Sequence, residues 1–216
     1  MSVSEDREVT PQVHPAAPSP GIADPGPLGL AAFALTTFLL SAANAHWTNG
    51  NSAGTAFLGY ALAYGGLAQL LAGMWEFRRG NVFASTAFSS YGAFWIGLFV
   101  WIRVAPAATG HDLGWILLAF AIFNTYMLLM ATQVNLAVFG VFLFLELTEI
   151  FLAIGNFSSS PGLGQVGGYL GLITAAVAWY TSAAGISAGM GGRILLPVGR
   201  PLIANRLEPA RISSEA

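Results

Sequence analysis

The chain has 216 residues, 55% hydrophobic and only 8% charged, with a formal net charge of −2. An ordinary soluble domain carries about 25% charged residues, so this composition excludes a soluble globular domain and points to an integral membrane protein. No cysteine is present, which excludes disulfides, thiol catalysis and thiolate metal sites. In chain order, residues 1–23 are polar, carry Pro11, Pro15, Pro18 and Pro20, and are expected to form a disordered tail. Glu5, Asp6 and Glu8 stand where a signal peptide would have its basic start. Apolar blocks of spanning length follow at 27–45, 54–75, 83–104, 114–131, 136–156 and 165–189, each near the roughly 20 residues that cross a bilayer. The expected fold is all-α, a polytopic membrane protein of six transmembrane helices in one bundle over residues 24–192, followed by a C-terminal tail, 193–216. Six spans put both termini on one side. That side holds Arg7, Arg78, Arg79, Arg193, Arg200, Arg206 and Arg211, with Arg103 opposite, so both ends are expected in the cytoplasm.

Each span carries a pattern. Asp24-Pro25-Gly26-Pro27-Leu28-Gly29-Leu30 opens the first, with Asp24 as a cap and prolines tolerated in the first turn. Its interior sets Phe33, Thr37, Leu40, Ser41 and Asn44 on one side, a part-polar stripe suited to a protein interior or a water path. In the second, Gly59, Gly66 and Gly73 recur every seven residues as a packing seam flanked by Gln69 and Glu76. These two polar groups read either as functional, or as an interhelical hydrogen-bonder and a surface partner of Arg78 or Arg79. The third span presents Asn81, Phe88, Tyr91, Trp95 and Phe99 on one face, an aromatic core or an aromatic lumen wall. The Tyr91 hydroxyl requires a partner, water or ligand there.

The fifth span holds Glu146 and Glu149, the only acids deep within any span. A charged acid at mid-membrane costs on the order of 3 kcal/mol, so the two are not expected both to be ionised. On a helix Glu149 lies about 40° from Leu145 and Glu146 about 100°. One reading places both acids in an interhelical network with Thr148, Gln69 or Asn156; the other has Glu149 exchanging a proton beside a path. In the sixth span Gly171, Thr174, Ala178, Thr181, Ser182 and Gly185 form a small, mildly polar face, a pore wall or a packing face. His14, His46 and His111 show no metal-ligand spacing, and neither metal nor cofactor is expected.

The opening DPGPLGL closely resembles the NPxPLGL signature of the acetate uptake transporters, the group that includes the bacterial succinate–acetate permeases. Tyr64 to Trp95, YGGLAQLLAGMWEFRRGNVFASTAFSSYGAFW, is similar to that family's second and third spans. Ala153-Ile154-Gly155-Asn156 is similar to the end of its fifth, and Gly192-Arg193-Ile194-Leu195-Leu196-Pro197-Val198-Gly199 to its C-terminal GRxxLPxG. The resemblance covers about residues 24–199. It implies a protomer with a pore through its own bundle, assembled as a homohexamer in the inner or plasma membrane. By motif it implies an apolar constriction of Phe33, Tyr91 and Leu145, with Ala178 influencing which carboxylate passes. Asp24 replaces the family's Asn and sets a negative charge where a helix N-terminus would attract a substrate carboxylate.

The expected function is therefore a transporter or channel for acetate, succinate and other short carboxylates, coupled to protons. A channel for small neutral solutes such as acetic acid, ammonia or urea fits the same bundle. A non-transporting oligomeric signalling protein acting through its tails is the reading from another class. No nucleophile–base pair stands out, so no enzyme is expected, and the expected partners are carboxylates, protons, lipid and further copies of the chain, without nucleic acid.

Overall fold

The computed structural model describes residues 21–48, 51–105, 109–191, 194 and 196–203. Most of both expected tails, with Arg7, Arg193, Arg206 and Arg211, lies outside those residues. The described chain forms α1 (Gly26–Asn44), α2 (Asn51–Leu62), a π-helical turn (Ala63–Ala68), α3 (Gln69–Arg79), α4 (Val82–Val104), α5 (Gly110–Ala131), α6 (Leu136–Phe157) and α7 (Pro161–Gly189). The helix from Phe57 to Arg79 runs through the π turn as one span, giving six helices long and apolar enough to cross a membrane among the described residues.

Local chemistry sets the helix ends. Asp24 Oδ1 accepts the Gly26 N–H at 2.9 Å, and Pro27 occupies the first turn of α1. Gly80, at φ 76°, closes α3 in the left-handed conformation, and its N–H and that of Asn81 return to the Phe77 and Glu76 carbonyls. Asn81 and Asn135 then open α4 and α6 by accepting the N–H groups of Ala84 and Val138 at 3.2 and 2.9 Å. Thr109 and Asp112 form a reciprocal capping box at α5.

Small residues let the helices meet backbone to backbone. A Cβ on Gly92 of α4 would lie 2.7 Å from the Leu70 nitrogen of α3. On α7, a Cβ at Gly171 would strike Ser41, one at Gly168 the backbone at Asn44 and Ala45 where α1 ends, and one at Gly185 would lie 2.9 Å from Pro27. The Ser182 hydroxyl donates to the Pro27 carbonyl at 2.7 Å. In the protomer the small face of α7 is thus a packing face against α1 and α6.

The seven-residue glycine seam holds only in part. Gly66 and Gly73 are buried against Ile96 and Ser89, whereas Gly59 faces open space. The π turn, which follows Gly59 and contains Gly66, adds the equivalent of one residue, so the helix before it is rotated by about 100° relative to the helix after it. The last described segment folds back across the α5–α6 turn. There Ala137 N–H donates to Val198 O at 2.9 Å, Leu202 N–H to Thr132 O at 2.8 Å, and Tyr180 Oη to Pro197 O at 2.7 Å.

Candidate functional site

Three cavities lie in sequence along the bundle. The first, about 240 Å³, is at the end where α1 begins and α3 stops, and its wall includes Phe33, Gln69, Glu76, Arg79, Phe88, Tyr91 and Leu145. The second, about 30 Å³, lies at mid-bundle among Phe33, Thr37, Ser41, Tyr91, Trp95, Leu145, Glu149 and Leu152. The third, about 340 Å³, opens at the opposite end and is lined by Asn44, His46, Leu152, Asn156, Ser159 and Ser160. Phe33, Tyr91 and Leu145 belong to the walls of both the first and the second. Leu152 is common to the second and third. At roughly 10–15 Å³ per water, the middle compartment takes about two water molecules.

Phe33 and Tyr91 meet edge to face with ring centroids 5.7 Å apart. Tyr91 is also wedged by Phe94, Phe120 and Phe123 at centroid distances of 6.3, 5.7 and 5.6 Å. Its hydroxyl lies 3.0 Å from Asn124 Oδ1 and 3.2 Å from Glu149 Oε1, and can donate its one proton to either. Asn124 donates in turn to Glu146 Oε2 at 2.7 Å and to the Phe142 carbonyl at 2.9 Å, and Thr125 donates to Glu146 Oε1 at 2.8 Å. A hydrogen-bonded chain therefore runs from buried Glu149 through Tyr91 and Asn124 to half-buried Glu146 and exposed Thr125.

The two glutamates thus join a network whose partners differ from those expected. Thr148 donates instead to Phe144 O at 2.7 Å and lies 3.3 Å from Thr174 Oγ1, and Asn156 donates to Leu152 O at 2.8 Å. Thr148 is turned about 100° from Glu149 around α6, which sends it to α7 while the acids face α4 and α5. Asn124 and Thr125 were not singled out from sequence. The signal was present, because Asn124 is the only amide in the apolar block 114–131.

Glu76, 1% exposed, pairs with Arg79 (3.4 Å), and Arg79 also meets Asp24 at 2.5 Å. Gln69 is equally buried, and its Oε1 has no partner. Thr37 Oγ1, Trp95 Nε1 and Glu149 Oε2 are likewise buried without one. Ala178 departs from the expectation of a path-lining residue. It is fully buried in the apolar cluster that includes Phe33 and Leu145, on the wall of none of these three cavities, because the face of α7 that carries it is taken up by packing.

The sequence model of the GPR1/FUN34/yaaH family matches residues 6–199. Acetate permease A of Emericella nidulans is 37% identical over 214 residues, 88% of this chain and 70% of its own length. The succinate-acetate/proton symporter SatP of Escherichia coli is 36% identical over 186 residues, 82% of this chain and 96% of that protein. Ammonia transport outward protein 2 of Saccharomyces cerevisiae is 37% identical over 190 residues, and the match spans 83% of this chain and about two thirds (67%) of the yeast protein. The solved structure of the bacterial acetate channel SatP superposes with a TM-score of 0.78 at 33% identity, over 83% of this chain and 100% of that one. With its six spans, its shared channel fold and a family match over most of its length, the chain belongs to the GPR1/FUN34/yaaH family.

Proposed function

We propose that the chain moves acetate and related short carboxylates, together with a proton, through the three cavities of its own bundle, with Phe33, Tyr91 and Leu145 as an apolar collar. Transport of acetate-class carboxylates, as opposed to catalysis, follows from the family and the channel fold. The collar rests on one observation, the sharing of those three side chains between the wide vestibule and the narrow compartment. A dry ring of this kind makes a carboxylate shed water before it passes. Thr37, Asn44, Gln69, Glu76, Phe88, Trp95 and Glu149 line the proposed path on either side of it. Ala178 acts at one remove, as backing for the cluster that holds Phe33 and Leu145.

The test is labelled-acetate uptake by the purified protein in liposomes, with and without an inward proton gradient. Uptake accelerated by the gradient is expected. Uptake indifferent to it would remove the coupling, and no uptake would remove the acetate reading. Passage of small neutral solutes is kept as a second reading because a relative is named for ammonia transport. Ammonia and urea flux across the same vesicles separates the two. Both termini are proposed to be cytoplasmic, since Arg78, Arg79 and Arg200 share the end of the first vestibule while Arg103 closes α4 at the other. A ring of six protomers is proposed on the exposed aromatic and aliphatic surface that includes Trp75, Trp115 and Trp179.

A further inference from the structure

The middle compartment gathers three of the buried polar atoms that lack a hydrogen-bond partner. They are Thr37 Oγ1 from α1, Trp95 Nε1 from α4 and Glu149 Oε2 from α6. Each such atom left alone costs about 1–3 kcal/mol. Three on the wall of one small space mark a place that something polar fills. The set is specific: an indole N–H that can only donate, a hydroxyl that can donate or accept, and one free oxygen of a carboxyl group. Among the described residues, no arginine lines the compartment. A carboxylate there therefore has no fixed cation to offset its burial, and a proton must serve instead. About two water-sized positions are available, which two carboxyl oxygens can fill.

We propose that this compartment is a subsite for the carboxyl group of the substrate, in which Trp95 and Thr37 each donate to one carboxylate oxygen and Glu149 supplies the proton. The proposal rests on the transport reading and specifies its middle step. The O–H bond at Glu149 Oε2 breaks as a new O–H bond forms on the incoming carboxylate. The substrate continues as the neutral acid, and Glu149 is left as a carboxylate. The Tyr91 hydroxyl, 3.2 Å from Oε1, then swings its proton from Asn124 to that carboxylate. Glu149 recovers its proton from water on the side from which the substrate entered, and the acid ionises on the far side, so one proton crosses with each substrate. The titratable groups facing Glu149 are Tyr91 from α4 and Glu146 on its own helix. The wall contributed by α1 and α5 is Phe33, Thr37, Leu40, Ser41 and Leu117, which do not titrate. One carboxyl group fills the space, so a dicarboxylate must leave its second in an adjoining vestibule.

Two measurements on the purified full chain test this. In infrared difference spectra, acetate binding should deplete or shift a protonated glutamic acid carbonyl band of the parent, ¹³C in the acetate carboxyl moving only the substrate's own bands out of that window, and the glutamic acid band should be missing from Glu149→Gln. In liposomes, gradient-driven acetate uptake by Glu149→Gln should fall about tenfold or more, the loss of one charge-assisted hydrogen bond and its proton. Should Glu149→Gln fail to fold, Thr37→Val keeps the shape of the side chain and replaces only its hydroxyl by a methyl group. It should raise the acetate concentration for half-maximal uptake about fivefold or more, and an unchanged value overturns the subsite. A parent that transports acetate while its protonated glutamic acid band is unchanged by acetate binding, or a Glu149→Gln with the parent's pH dependence, overturns the proposal. A parent that moves no acetate refutes the transport reading beneath it.

Discussion

Leu145→Ala removes one wall of the collar and leaves the other two in place. The side chain is 6% exposed and separates voids of about 240 and 30 Å³. In a filled core, Leu→Ala costs about 2.7–5.0 kcal/mol, the lost transfer energy plus a cavity term. Here the side chain already borders empty space on two sides, so fewer contacts are lost, and the expected cost is about 2–3 kcal/mol. The Phe33–Tyr91 pair stays braced by Phe94, Phe120 and Phe123, so the gap should remain open and join the two voids. A wider, less dry passage relaxes selection by size. Succinate and longer monocarboxylates should then compete with labelled acetate uptake in liposomes at concentrations roughly three- to tenfold lower, a change of about 0.7–1.4 kcal/mol. Unchanged competition in a variant that melts cooperatively and inserts normally would take Leu145 out of the collar and refute the reasoning from shared walls.

Gly171→Ala drives a methyl into Ser41 and against Thr148 Cγ2 at 3.3 Å. It should lower stability in detergent by about 1–3 kcal/mol, and an unaffected melting temperature would mean that α1 and α7 are not locked there. Asp24→Asn keeps an acceptor for the Gly26 N–H but frees Arg79 from a pair whose side chains are 48% and 34% exposed. Stability should change by less than about 1 kcal/mol. Half-saturating acetate should fall at low salt and the difference should fade as salt is added; equal values at low salt would show that Arg79 does not meet the substrate. Mass measurement in mild detergent should return six copies, and a stable monomer or dimer would refute the ring.

The number of spans and where they lie can be read from the amino-acid sequence alone. Hydropathy over about 20 residues is a local property, and the bilayer demands internally satisfied backbone within that length whatever the neighbours do. The caps at Asp24, Asn81 and Asn135, which act within a few residues, can be read there too, as can the stripe Phe33, Thr37, Leu40, Ser41 and Asn44, because α1 is unbroken and its period holds. What each polar group meets depends on how the helices pack. Periodicity assumes a constant turn per residue, and the π turn at Ala63–Ala68 breaks that assumption, turning Gly59 out while Gly66 and Gly73 stay in. The partners of Glu146 and Glu149 depend on how far α4 and α5 are shifted and rotated against α6, which no spacing within one helix can encode. The same holds for Ala178: a face of small residues suits a pore wall and a packing surface equally, and the close approach of α1 to α7 through Gly168, Gly171 and Gly185 made it a packing surface.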